Sequence, residues 1–101
     1  MPYVRVSLMR PKPGHEGLVR SLLDYLVLFH ESQPGYLFGY RIDRADASDR
    51  VGRLGIWASE GDLERAARAD HDLALRAELK MAIEEDSHEE HSFDASAIPR
   101  I

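Results

Sequence analysis

The sequence predicts a single α+β domain in which strands and helices follow the order βαββαβ, an antiparallel sheet with helices on one face. Period-two apolar alternation appears at Val4, Val6 and Leu8 and again after Pro34-Gly35. Helical three- and four-residue spacing lies between these stretches. A polar run, Ala45-Asp46-Ala47-Ser48-Asp49, joins two strand-like segments as a hairpin. A chain of 101 residues has room for one core, so residues 1–101 read as one domain with 96–101 as a tail.

In the first strand, Val4, Val6 and Leu8 alternate with Tyr3, Arg5, Ser7 and Met9, and Pro11-Lys12-Pro13-Gly14 ends it. From about His15 to Ser32, Leu18, Val19, Leu22, Leu23, Leu26 and Phe29 mark the first helix. Tyr25, Val27 and Leu28 widen its stripe beyond what one small sheet requires. Gln33-Pro34-Gly35 stops that helix and turns the chain. The second strand, Tyr36 to about Arg44, is predicted to place Tyr36, Phe38, Tyr40 and Ile42 on one face and Leu37, Gly39 and Arg41 on the other. The third runs from about Arg50 to Ala58.

Ser59 is an N-cap candidate with Asp62 three residues on, so a short helix starts near Glu60 with Leu63, Ala66 and Ala67 inward. Asp70 is expected to cap a further helix from about His71 to Ile83, with Ala74, Leu75, Leu79 and Ala82 inward. His88 to about Ala95 is the fourth strand. The order is ferredoxin-like. Apolar side chains on both faces of the second strand need a second cover, and the second sheet of a homodimer supplies one.

The composition is 44% hydrophobic and 31% charged, that of an ordinary globular domain. No apolar run approaches the roughly 20 residues of a spanning helix. Met1-Pro2-Tyr3-Val4-Arg5 leads straight into a strand, so the expectation is a cytoplasmic protein with no membrane partner. With no cysteine there is no disulfide, thiolate nucleophile or thiolate metal site. A net charge of −5 argues against nucleic acid.

Trp57, at the end of a strand, is either a core side chain or a pocket wall. Arg5, Arg41 and Arg53 lie on strands, where a guanidinium facing a dry cleft binds an oxyanion through paired hydrogen bonds; the other reading is an ordinary ion pair. Tyr40, and after it Tyr3, could hydrogen-bond a phenolic ligand, and Phe38 is expected beside it. His30, at the negative end of the first helix, reads as a structural imidazolium favoured by the helix dipole. His71 is either a surface residue at a helix start or an acid–base group. His88-Glu89-Glu90-His91 has its histidines three apart on a strand, hence on opposite faces, and no metal site is expected. The glycines lack phosphate-loop spacing.

Pro34-Gly35, the aromatic strand, the strand ending in Trp57, Ser59-Glu60 and then Ala69-Asp70-His71 resemble the antibiotic biosynthesis monooxygenase domain of the dimeric α+β barrel superfamily. The likeness covers about Val4 to Phe93. It implies a homodimer of paired sheets and a cleft between helices and sheet with Trp57 as its wall. It also implies a monooxygenase that uses no cofactor and acts on a small aromatic phenol or quinol. Under that resemblance the catalytic candidates are Trp57, His71 and Tyr40, and the substrate-binding candidates Arg53, Arg41 and Phe38.

Haem-degrading relatives carry a second tryptophan and a histidine where this chain has Ala66 and Arg76, so haem degradation is not expected. Many other relatives place an acid and a histidine where Gly55 and Ala66 stand. Their absence leaves a more apolar cleft. The alternative function is accordingly a small-molecule-binding or stress-associated dimer without turnover.

Overall fold

The computed structural model describes residues 1–46 and 49–99; Ala47-Ser48 of the expected hairpin and the last two residues of the tail lie outside the described residues. The elements are β1 (Tyr3–Met9), α1 (Glu16–Glu31), β2 (Tyr36–Asp43), β3 (Val51–Trp57), α2 (Glu60–Ala67), α3 (Asp70–Ala82) and β4 (Glu89–Asp94). The strands form one antiparallel sheet in the order β2-β3-β1-β4. The expected ferredoxin-like α+β architecture is therefore the observed one, with its last helical region divided in two.

Gly35 explains the entry to β2. Its φ of 85° lies in the left-handed region, and a Cβ there would come within 2.3 Å of the Asp62 carboxyl. Ser59 caps α2 as expected: its Oγ accepts from the Asp62 amide at 3.2 Å and donates to Asp62 Oδ2 at 2.9 Å. Asp70 does not cap α3. It is the first helical residue, preceded by Ala69 with no side-chain cap, because the chain leaves α2 through Arg68 and turns directly into the next helix. Ala74 is exposed, and the inner stripe of α3 is Asp72, Leu75, Leu79 and Ala82.

The alternation of β2 breaks where the sequence could not show it. A bulge between Tyr36 and Phe38 sets Tyr36 opposite Trp57 and Phe38 opposite Ile56. Tyr36 therefore leaves the face of Phe38, Tyr40 and Ile42 and joins the helix-covered face. Its hydroxyl lies over Gly39, where a Cβ would collide with it.

Cross-strand register sorts the helix-covered face into bands. At one end Met9 pairs with Val51, and both join Val19, Leu22, Leu23, Leu26, Leu79, Ala82 and Ile83 in the larger core. At the other end Tyr3 pairs with Trp57, packed with Leu63, Ala66 and Tyr36. Between them Ser7 pairs with Arg53 and Arg5 with Gly55, a polar band between two apolar clusters. The opposite face carries Val4, Val6, Leu8, Leu54 and Ile56, all half-buried, with Phe38, Tyr40 and Phe93 more than half exposed. No helix of the described residues is long and apolar enough to cross a membrane.

Two glycine replacements should differ in sign. Gly35→Ala meets both positive φ and the Asp62 carboxyl and should cost more than about 1 kcal/mol. Gly17→Ala, inside α1 with open space around its Cα, should stabilise by up to about 1 kcal/mol. Urea unfolding of the two variants measures both.

Candidate functional site

α1 presents Val19, Leu22, Leu23 and Leu26 inward, and the next position on that stripe is His30, 5% exposed. α3 presents Asp72 on its inner stripe, one turn before Leu75, with 1% exposure. The two meet where α1 and α3 pack: His30 Nε2 lies 2.5 Å from Asp72 Oδ2. Arg76, one turn further along α3, donates from Nε to Asp72 Oδ1 at 2.5 Å and from its NH2 group to the Ala67 carbonyl at 2.6 Å. From the sheet side, Arg53 brings NH1 to 3.4 Å from His30 Nδ1.

Aromatic rings close one side of this group. The Trp57 indole meets the His30 ring edge-on at a centroid distance of 5.2 Å and the Tyr36 ring at 4.9 Å. Gly55, between Arg53 and Trp57 on the same face, has no side chain; a Cβ there would stand 3.3 Å from the indole Nε1. Trp57 is 1% exposed. Tyr36 also lines a recess of about 250 Å³ at the sheet edge, with Glu31, Leu37, Phe38, Gly39 and Tyr40. It is the side chain shared by that recess and the buried group.

Arg53 is the unusual member. The residue is half-buried, no carboxylate among the described residues forms an ion pair with it, and its buried Nε has no hydrogen-bond partner. Burial lowers its pKa, opposed in part by the attraction of Asp72 and Glu90. Across β1, Ser7 donates to Glu90 Oε1 at 3.3 Å, which Arg5 also approaches at 3.4 Å. Burial lowers the His30 pKa below its ordinary value, opposed by the Asp72 hydrogen bond and reinforced by the charge of Arg53. Burial alone would raise Asp72, but its bonds to His30 and Arg76 hold it low, so it is a carboxylate. Burial raises the Tyr36 phenol to about 12, so it stays protonated at neutral pH.

His30 is thus not a dipole-favoured imidazolium: desolvation outweighs the helix end, and the ring is neutral at pH 7. Of the residues the sequence singled out, Trp57 and Arg53 come together, joined through His30. Phe38 and Tyr40 lie on the opposite face of the sheet from Trp57 and share the edge recess with Tyr36. Arg41 is on the helix face but is spent in an exposed pair with Asp24 at 2.9 Å. His71 packs against Phe29 with the rings tilted by 49° and centroids 4.8 Å apart, and lines a separate open groove of about 470 Å³ between α1 and α3, with Tyr25, Leu28 and Leu75. Among the described residues no group of three His, Cys, Asp or Glu side chains is arranged to hold a metal. Sequence reasoning missed Asp72 and Tyr36 and gave His30 the wrong charge.

The fold is that of the antibiotic biosynthesis monooxygenase type of α+β domain. SnoaB, a cofactor-independent oxygenase from Streptomyces nogalater, superposes with a TM-score of 0.81 over 96% of this chain and 95% of its own, at 16% identity. A conserved protein from Methanosarcina mazei gives 0.86 over 95% and 94%, at 17% identity. A protein from Deinococcus radiodurans provisionally assigned as an antibiotic biosynthesis monooxygenase gives 0.82 over 100% and 98%, at 14% identity. No family model matches the sequence, and no curated protein is similar to it.

The buried imidazole fixes the sign of one pH response. Its folded pKa lies below the ordinary 6.5, so the unfolded chain binds the proton more readily. Stability from this group is complete above that value and falls as pH drops below it. Between about pH 7 and 5, urea midpoints should fall, and His30→Gln should flatten that part of the curve.

Proposed function

We propose that this protein is a cofactor-independent oxygenase that takes a small aromatic phenol or quinol between the helices and the sheet. The observation that carries this reading is Arg53, half-buried, in no ion pair among the described residues and with a buried Nε that lacks a hydrogen-bond partner, beside the Nδ1 of His30. Isolated buried charge is costly, and a ligand oxyanion offsets that cost. The likeness in fold to a cofactor-independent oxygenase supports the class of reaction.

In this reading the ligand enters at the edge recess, displaces the Tyr36 ring and lies against Trp57. The recess alone is smaller than the roughly 300–1,000 Å³ of ordinary ligand sites. Turning Tyr36 aside extends it toward Arg53. The phenolic proton passes to His30 Nδ1 while Arg53 holds the oxygen as a phenolate. The electron-rich ring then reacts with dioxygen: for a phenol, the ring C–H opposite the phenolate oxygen becomes C=O, the phenolate oxygen becomes the second C=O of a quinone, and the other oxygen atom leaves as water with that hydrogen and the proton held by His30, dioxygen serving as both oxidant and oxygen source. Phe38 and Tyr40 contact the ligand at the mouth, and His71 stands outside the reacting group.

The same reading includes a homodimer. Val4, Val6, Leu8, Leu54, Ile56, Phe38 and Phe93 form a continuous apolar sheet face, and the matching face of a second copy covers it. Sedimentation should give twice the mass of the chain, and Leu54→Asp should shift the protein to a monomer.

Binding without turnover is the second reading, favoured by the enclosure of Trp57. Oxygen uptake with anthrone- or quinol-type substrates separates the two. The oxygenase consumes oxygen, and Arg53→Met lowers kcat by about 100-fold or more. Thermal stabilisation by the same phenols without oxygen uptake would instead establish the binding protein.

A further inference from the structure

His30 meets a different kind of partner at each ring nitrogen. A guanidinium carries only donors, so the nitrogen facing Arg53, Nδ1, presents its lone pair. A carboxylate carries only acceptors, so the nitrogen facing Asp72, Nε2, carries the hydrogen. Asp72 cannot turn away, since Arg76 occupies its other oxygen and is itself tied to the Ala67 carbonyl at the end of α2. The direction of every hydrogen bond from Ala67 through Arg76, Asp72 and His30 to Arg53 is therefore determined. The series ends at the open Nε of Arg53.

We propose that Asp72 is the positioning residue of the site: held by Arg76, it locks His30 as the Nε2–H tautomer, with Nδ1 turned toward Arg53 and the ligand oxygen. This rests on the oxygenase reading for its use, while the tautomer itself is a property of the ligand-free protein. A ligand oxygen that takes the Arg53 hydrogen bond releases Nδ1 as a proton acceptor. The imidazolium formed then faces the Asp72 carboxylate on its far side. A tie between α1 and α3 that served only packing would need no particular tautomer.

Nitrogen-15 NMR of the imidazole in the ligand-free protein, with the His30 signals assigned by their loss in His30→Gln, tests the proposal. The expected spectrum is that of a neutral ring protonated at Nε2. Asp72→Asn gives a sharper expectation. Arg76 can bond only the amide oxygen, which leaves the amide NH2 facing Nε2 as a donor and drives the ring proton to Nδ1, against Arg53. The tautomer should invert, and kcat for oxygen uptake should fall by about 100-fold with KM within about twofold.

A wild-type ring protonated at Nδ1, or a mixture of tautomers, overturns the proposal even if the variant does not fold. So does an Asp72→Asn protein that melts at lower temperature yet keeps the Nε2–H ring, the outcome of a purely structural tie. Absence of oxygen uptake in the wild type counts against the oxygenase reading, and the spectrum still decides the role of Asp72.

Discussion

An arginine set between two apolar clusters, with no ion-pair partner among the described residues, is the constraint around which the helix-covered side of this domain is arranged. Arg53 sits in the middle band of the sheet, one register step from the Met9–Val51 core and separated by Gly55 from the Tyr3–Trp57 cluster. Its nearest bonded neighbour is an imidazole, and the carboxylate that balances it, Asp72, stands on the far side of that ring. An ordinary core would place Arg53 and Asp72 in contact and release the histidine. Inserting His30 between them keeps opposite charges apart in a region of weak screening, which leaves the arginine receptive to another anion. The packing of α1 on α3, the bond from Arg76 back to α2 and the edge-on contact with Trp57 all converge on that one ring.

Much of the architecture was legible because each element carried its own period. The α1 stripe, the Ser59 cap and the Trp57 strand end follow from local rules, and the structure reproduces them within a residue or two. The same stripe rule, carried one turn beyond Leu26, lands on His30, and the α3 stripe carried back one turn from Leu75 lands on Asp72. Read together, a histidine and an acid on the inner faces of neighbouring helices would have signalled a buried pair. Taken singly, His30 looked like a helix-end cation. Tyr36 was beyond such rules: the bulge that turns it inward inserts an unpaired position, and nothing in Tyr36-Leu37-Phe38 marks it.

The strongest apolar alternation, Val4, Val6 and Leu8, marks the sheet face the helices do not cover, while the alternate residues, two of them polar, lie beneath the helices. A reading that equates the apolar face with the domain's own core would invert the molecule. One face of the sheet is committed to the polar band within the chain, and the helices leave the other uncovered. That division explains how so small a domain can bury charge: its greasiest surface is reserved for the outside of the fold.

β2 and β4 leave the sheet with two free borders, each able in principle to recruit a foreign strand. β4 carries Glu89, Glu90 and His91, and β2 carries Arg41 and Asp43 along with its bulge. Ionic side chains and a local kink are what natural sheets use to discourage uncontrolled growth into fibres. The irregularity that delivers an aromatic ring to the interior thus also helps keep the molecule from polymerising through its rim, so straightening that strand would put solubility at risk along with chemistry.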